Sequence, residues 1–316
     1  MKRALLLNIG RGITRSTVFY AVVLVFSACA PGSAQTKQQS AKANQYPFKV
    51  EVIGHGQPMI LIPGLSSSGQ VWESTIARYK ANYECHVLTL AGFAGEPPTT
   101  EPFLEKARLS LADYIRAKKL RKPVVVGHSL GGILTLWLAS KEPALVGPII
   151  IVDALPYAPA SLQPNANPES LKSQAEAMRK ALIAQSREQR QQMQLTTLQT
   201  MITDPSNVAL AAKWGALSDP ATIAQAMYEM LTIDLRPELV RIKAPTLVIG
   251  TWIGLRQYAT REQVEKSFRE QYATLSGHKF VMSEKARHFV MLDDPEFLFK
   301  EMDSFLISQH QKGRKR

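Results

Sequence analysis

Ser129 is the residue whose surroundings most directly suggest chemistry. It stands in "PVVVGHSLGGILTLWLA", Pro123 to Ala139, where a run of β-branched residues meets glycines and then a long apolar stretch. Glycine is costly inside regular structure, so its presence on both sides of a serine implies a backbone that turns sharply with no room for Cβ atoms. The spacing Gly127, Ser129, Gly131 between a buried strand and a buried helix fits a nucleophile elbow. Such a turn holds the hydroxyl at the carboxyl edge of a sheet, where the next helix's amino terminus favours developing negative charge. The plainer alternative is a serine that only caps that helix.

A serine hydroxyl needs a base, and histidine suits that task near neutral pH. The chain has six histidines. His86 opens a strand and falls at the wrong edge, His55 belongs to a hairpin, His278 precedes a strand and His310 lies in the tail. His128, next to the serine, should point away from it on the elbow. His288 alone follows the last strand, at the edge where ligands gather in wound sheets. The competing reading of His288 is a loop residue bonded to Asp293 or Asp294.

These residues must be positioned by alternating strands and helices. "FKVEVIG" alternates and meets "GHGQ", which reads as a hairpin leading into the buried strand "MILIPG". "VWESTIARY" has helical spacing, "CHVLTL" is a buried strand, and apolar residues spaced by three and four predict a helix from Pro102 to Ala117. "VVVG" and "PIIIVD" are further strands around a helix from Leu130 to Ser140. The implied fold is α/β, a mostly parallel sheet with helices on both faces, because its strands are continuous apolar runs. Residues 154–231 interrupt the rhythm with helical, Gln- and Met-rich sequence and no strand candidate, an inserted helical cap. Alternation returns with "APTLVIG", "TREQVEKSFREQY", "KFVMS" and a final helix from Pro295 to about Ser308. The core therefore comprises 46–153 and 232–308, followed by a basic tail, 309–316, read as a frayed end.

With "LIPGLSSSG", "GHSLGG", "VDALP" and "ARHFVMLDDPEFL" in this order, the chain resembles the α/β-hydrolase superfamily from about Phe48 to Leu306. The resemblance implies that the amides of Leu65 and Leu130 form an oxyanion hole and that His288 serves Ser129 as base. Many relatives have His-Gly where Pro63 and Gly64 stand, a departure compatible with a backbone role. Most relatives also carry an acid after the strand matching "TLVIG", yet "TWIGLRQYAT" has no carboxylate. A minority place it one strand earlier, where Asp153 falls; such a carboxylate would hold the histidine's tautomer. Asp234 is the alternative acid, though its setting also suits a helix cap.

The first 34 residues read as an export signal: Lys2, Arg3, Arg11 and Arg15 precede the apolar run "VFYAVVLVF" and the small residues "SACAPGSAQ". Cleavage after Ala34 competes with a lipobox-like "FSAC" that would leave Cys29 lipidated, the one route to a membrane. Residues 35–45 are a polar leader. Four positive charges of the net +12 lie in the signal and four in the tail, leaving a nearly balanced body with no case for nucleic acid. Cys85, heading "CHVLTL", is expected to be a core thiol. No cluster has metal-ligand spacing and no cofactor is required. The expectation is an exported, periplasmic or secreted serine hydrolase acting on a small-molecule acyl substrate (ester, thioester or lactone), with no protein partner. A binding protein on a hydrolase scaffold and an acyltransferase using the same residues remain the alternatives.

Overall fold

The computed structural model describes residues 46–161, 163 and 165–314, with side chains through Gln311. Residues 1–34, read above as an export signal and containing Cys29, and the leader at 35–45 lie outside the described residues. Seven strands form one sheet: β1 (Phe48–Gly54), β2 (Gln57–Ile62), β3 (Tyr83–Leu90), β4 (Val124–His128), β5 (Ile149–Val152), β6 (Thr246–Thr251) and β7 (Lys279–Ser283). Their order is β1-β3-β2-β4-β5-β6-β7, with only β1 antiparallel to its neighbour. The helices are α1 (Glu73–Tyr79), α2 (Phe103–Ala117), α3 (Leu130–Lys141), α4 (Pro168–Ala184), α5 (Arg187–Met201), α6 (Pro205–Ala216), α7 (Pro220–Thr232), α8 (Arg261–Gln271), α9 (Val290–Asp293) and α10 (Pro295–Arg314).

Both faces of the sheet are covered, which is why its inner strands read as unbroken apolar runs. Ile60, Ile62, Val125, Ile149 and Ile151 pack toward α2, α3 and α8. Their neighbours Met59, Leu61, Val124, Val126 and Ile150 pack toward α1 and α10 on the opposite face. Helix α3 is apolar on all sides and almost wholly buried, as its position behind the elbow requires.

Two expectations are corrected. The chain leaving β1 does not form a hairpin with β2. Instead β1 pairs with β3, from Phe48 opposite Leu90 to Gly54 opposite Glu84, while β2 lies parallel between β3 and β4. Alternation along β1 does mark a half-exposed strand, but turn residues do not determine which neighbour it joins. The basic tail is also not frayed from residue 309, because α10 continues to Arg314. The buried residues Met302, Phe305 and Leu306 anchor it, and the Tyr83 hydroxyl lies 3.3 Å from His310 Nε2.

Four helices, α4 to α7, lie between β5 and β6 and form the cap. Their starts are legible in the sequence, since Asn167, Ser186, Asp204 and Asp219 each accept an amide of their helix's first turn. Proline follows three of them at the first helical position. The cap's start and end are tied by the Tyr157 hydroxyl, which donates to the Leu231 carbonyl at 3.1 Å. Buried Glu229 of α7 joins cap to core. Its carboxylate accepts the amides of Phe103 and Leu104 at 2.8 and 2.7 Å, and the Gln225 amide at 2.7 Å. It thereby caps α2, whose own N-cap residue is Pro102 with no side-chain acceptor. Glu229→Ala strands these donors and is expected to lower unfolding stability by about 2–3 kcal/mol in urea titration.

Candidate active site

Three strand ends meet at the carboxyl edge of the sheet. Register pairs His128 with Val152 and Val152 with Ile249, so the residues that follow β4 and β5 are neighbours. Both leave their strands in the left-handed region, Ser129 at φ 52° and Asp153 at φ 46°. Non-glycine residues held there carry strain that the surrounding structure must offset. The Ser129 amide donates to the Val152 carbonyl at 3.0 Å, and the Asp153 amide to Ile249 at 2.7 Å.

The elbow's glycines are required by contact. A Cβ on Gly127 would stand 2.2 Å from the Gly131 carbonyl oxygen, and one on Gly131 would stand 2.3 Å from that of Ile62. Real Cβ atoms do not approach so closely, so the turn can hold only glycine at both places. The helix N-terminus then begins directly after the serine. Leu130, its first residue, has an amide beyond the reach of intrahelical acceptors. Among the described residues, neither the Leu130 amide nor that of Leu65 has a hydrogen-bond partner. The Leu65 loop abuts the serine: a Cβ built on Gly64 would lie 3.2 Å from Ser129 Cβ. Two unpaired donors beside one hydroxyl suit an oxyanion site.

Asp153 Oδ2 accepts from His288 Nδ1 at 2.6 Å, across 135 residues of chain. The same carboxylate accepts the Thr251 amide on Oδ1 and the Thr251 hydroxyl on Oδ2, both at 2.8 Å. With Nδ1 engaged, Nε2 is the nitrogen left for proton exchange. The His288 ring lies 4.6 Å from the His128 ring, centroid to centroid, which places this imidazole beside the elbow. The Ser129 hydroxyl has no hydrogen-bond partner among the described residues, His288 included. In ligand-free sites such bonds often tighten only once substrate is bound.

The remaining candidates go elsewhere. Asp293 accepts the Thr203 and Arg287 amides at 2.9 Å, and Asp294 accepts the Ser283 hydroxyl at 3.0 Å, so neither carboxylate takes His288. Asp234 accepts the Arg236 amide at 2.9 Å and pairs with its guanidinium, the capping role. His86 is buried between Tyr114 and Glu84. Cys85 is buried, and burial pushes its thiol pKa up to about 11. No group of three or more potential metal ligands occurs among the described residues.

Sequence reasoning missed Thr251 and the contact made by His128. Thr251 ends the strand after which relatives carry an acid; a hydroxyl residue at that edge, beside an Asp at the end of the adjacent strand, was the available signal.

A model of the alpha/beta hydrolase family matches residues 59–301. The chain belongs to that family. Among curated proteins, this hydrolase-family chain is similar to the pimeloyl-acyl-carrier-protein methyl ester esterase of Vibrio atlanticus, 24% identical over 241 residues, 74% of this chain and 92% of the relative. The enzyme of the same name from Pectobacterium carotovorum is 24% identical, over 78% of this chain and 93% of its own. Among solved structures, an esterase from Exiguobacterium antarcticum superposes with a TM-score of 0.67 at 18% identity, covering 82% of this chain and 94% of that one. That likeness speaks to the fold. The loop after β6 holds no carboxylate as far as Thr260, and the carboxylate that meets His288 stands at the end of β5.

Proposed function

We propose that the protein is a serine hydrolase that cleaves a carboxylic ester or related acyl bond through an acyl-enzyme. The observation that carries this reading is the Asp153 to His288 hydrogen bond at the strand edge that also holds Ser129 and two unpaired amides. Ser129 Oγ attacks the carbonyl carbon while His288 Nε2 takes its proton. The Leu65 and Leu130 amides donate to the resulting oxyanion, and the Asp153 carboxylate faces the imidazolium. Collapse of the tetrahedral species expels the alcohol, which leaves with the proton from His288. Water, deprotonated by the same nitrogen, then attacks the acyl-enzyme and releases the acid.

The resemblance to methyl ester esterases supports an ester as substrate, and small relatives of that bond, thioesters and lactones, suit the same residues. Asp153 on His288 favours catalysis over a binding role, because it supplies the carboxylate that the loop after β6 lacks. Acyl transfer to an alcohol uses the same steps with another acceptor, and product analysis in water and alcohol mixtures separates the two. Export rests on the sequence of residues 1–34, outside the described ones. No helix of the described residues is long and apolar enough to cross a membrane.

The test is covalent. A fluorophosphonate should label the purified protein stoichiometrically, peptide mapping should place the label on Ser129, and labelled protein should lose turnover of a small aryl ester. Label elsewhere, or turnover surviving full labelling, overturns the assignment.

A further inference from the structure

His128 precedes the nucleophile but cannot itself reach the reaction: it is fully buried, its side chain turned inward from β4. Its contacts nevertheless join the two halves of the site. Nε2 lies 3.0 Å from the backbone carbonyl oxygen of His288, 160 residues away in sequence. The ring packs against His288 and Phe289 at centroid distances of 4.6 and 4.7 Å. On its other side, Nδ1 lies 3.0 Å from where a Cβ on Gly64 would stand, next to Ser129 Cβ. One imidazole thus fills the space between the histidine loop and the loop that presents the Leu65 amide.

We propose that His128 is a positioning residue for the hydrolysis proposed above, a neutral Nε2–H imidazole that donates to the His288 carbonyl and so holds the base in register with Ser129 and the oxyanion amides. The tautomer follows from the contact. A carbonyl oxygen only accepts, so the proton must sit on Nε2, leaving Nδ1 with its lone pair. That Nδ1 is buried without a partner among the described residues, the arrangement expected where the Nε2 bond takes precedence. Burial, and then the adjacent His288, hold the His128 pKa well below the ordinary histidine value. Neutrality matters because His288 becomes cationic during each turnover, and a second cation in ring contact would oppose it.

The inference rests on the serine-hydrolase reading, but its first test does not. Nitrogen-15 NMR of the full protein labelled in histidine should show one histidine fixed as the neutral Nε2–H form across about pH 5 to 8, where an ordinary imidazole changes charge, and that signal should vanish in His128→Gln. An Nδ1–H tautomer, or protonation of that ring within the same range, overturns the proposal even if no variant folds. The second test uses turnover of an aryl ester. His128→Leu, similar in size but lacking the donor, should lower kcat about 10- to 100-fold with KM changed little. His128→Gln, whose amide nitrogen can reach the same carbonyl, should restore most of that loss. Equal loss in both variants, scaling with their drop in Tm, would mean that His128 only fills space. If labelling at Ser129 fails while the tautomer is as stated, the hydrolase reading falls and the structural tie stands.

Discussion

Replacement of Ser129 by alanine is expected to lower kcat/KM for a small aryl ester by about 10⁴-fold or more and to abolish fluorophosphonate labelling. Without the hydroxyl there is no acyl-enzyme, and only the oxyanion amides and substrate binding remain to speed attack by water. The protein should remain folded. The hydroxyl has no hydrogen-bond partner among the described residues, and alanine keeps the Cβ that packs beside Gly64. A loss of activity accompanied by unfolding would therefore point to a structural serine. Unaltered denaturation with activity gone assigns it to the reaction. Calorimetry alongside single-turnover kinetics makes the distinction.

Asp153→Asn should be nearly as damaging, lowering kcat by about 10³- to 10⁴-fold, and the reason lies in Thr251. The Thr251 amide can only donate, and it faces Oδ1 at 2.8 Å. An asparagine must therefore turn its own oxygen toward that amide, which puts its NH2 group opposite His288 Nδ1, where the wild type has Oδ2 at 2.6 Å. Two donors cannot share that contact, so the imidazole is driven to carry its proton on Nε2. In that tautomer Nε2 has no lone pair to receive the serine proton. The reverse amide orientation sets NH2 against the Thr251 N–H, which is no better. Asp153→Asn should still be fluorophosphonate-labelled, but far more slowly, and a kcat within tenfold of wild type would remove Asp153 from the mechanism.

Much of this molecule was legible locally. "GHSLGG" between β-branched and apolar runs announced the elbow because close approach of Gly127 and Gly131 to neighbouring carbonyls tolerates no side chain. The inner strands were readable because burial on both faces demands continuous apolar sequence, and the cap helices because their Asn, Ser and Asp caps satisfy first-turn amides nearby in the chain. The sequence by itself therefore determined the alternation of elements, the serine at the elbow, and His288 as the histidine that follows the last strand at the same edge of the sheet. What it left undetermined is what depends on pairing between distant segments. The partner of β1, the choice of Asp153 over Asp234, the donors from Thr251, the tie from His128 and the Glu229 cap on α2 all join residues that local patterns treat separately; the site contacts span 98 to 160 positions. A local pattern records which surfaces a residue must bury, whereas register and sheet order decide which polar groups then meet. Only the tertiary structure decides the second, because a hydrogen bond needs both partners in place and neither one's neighbours in sequence specify the other.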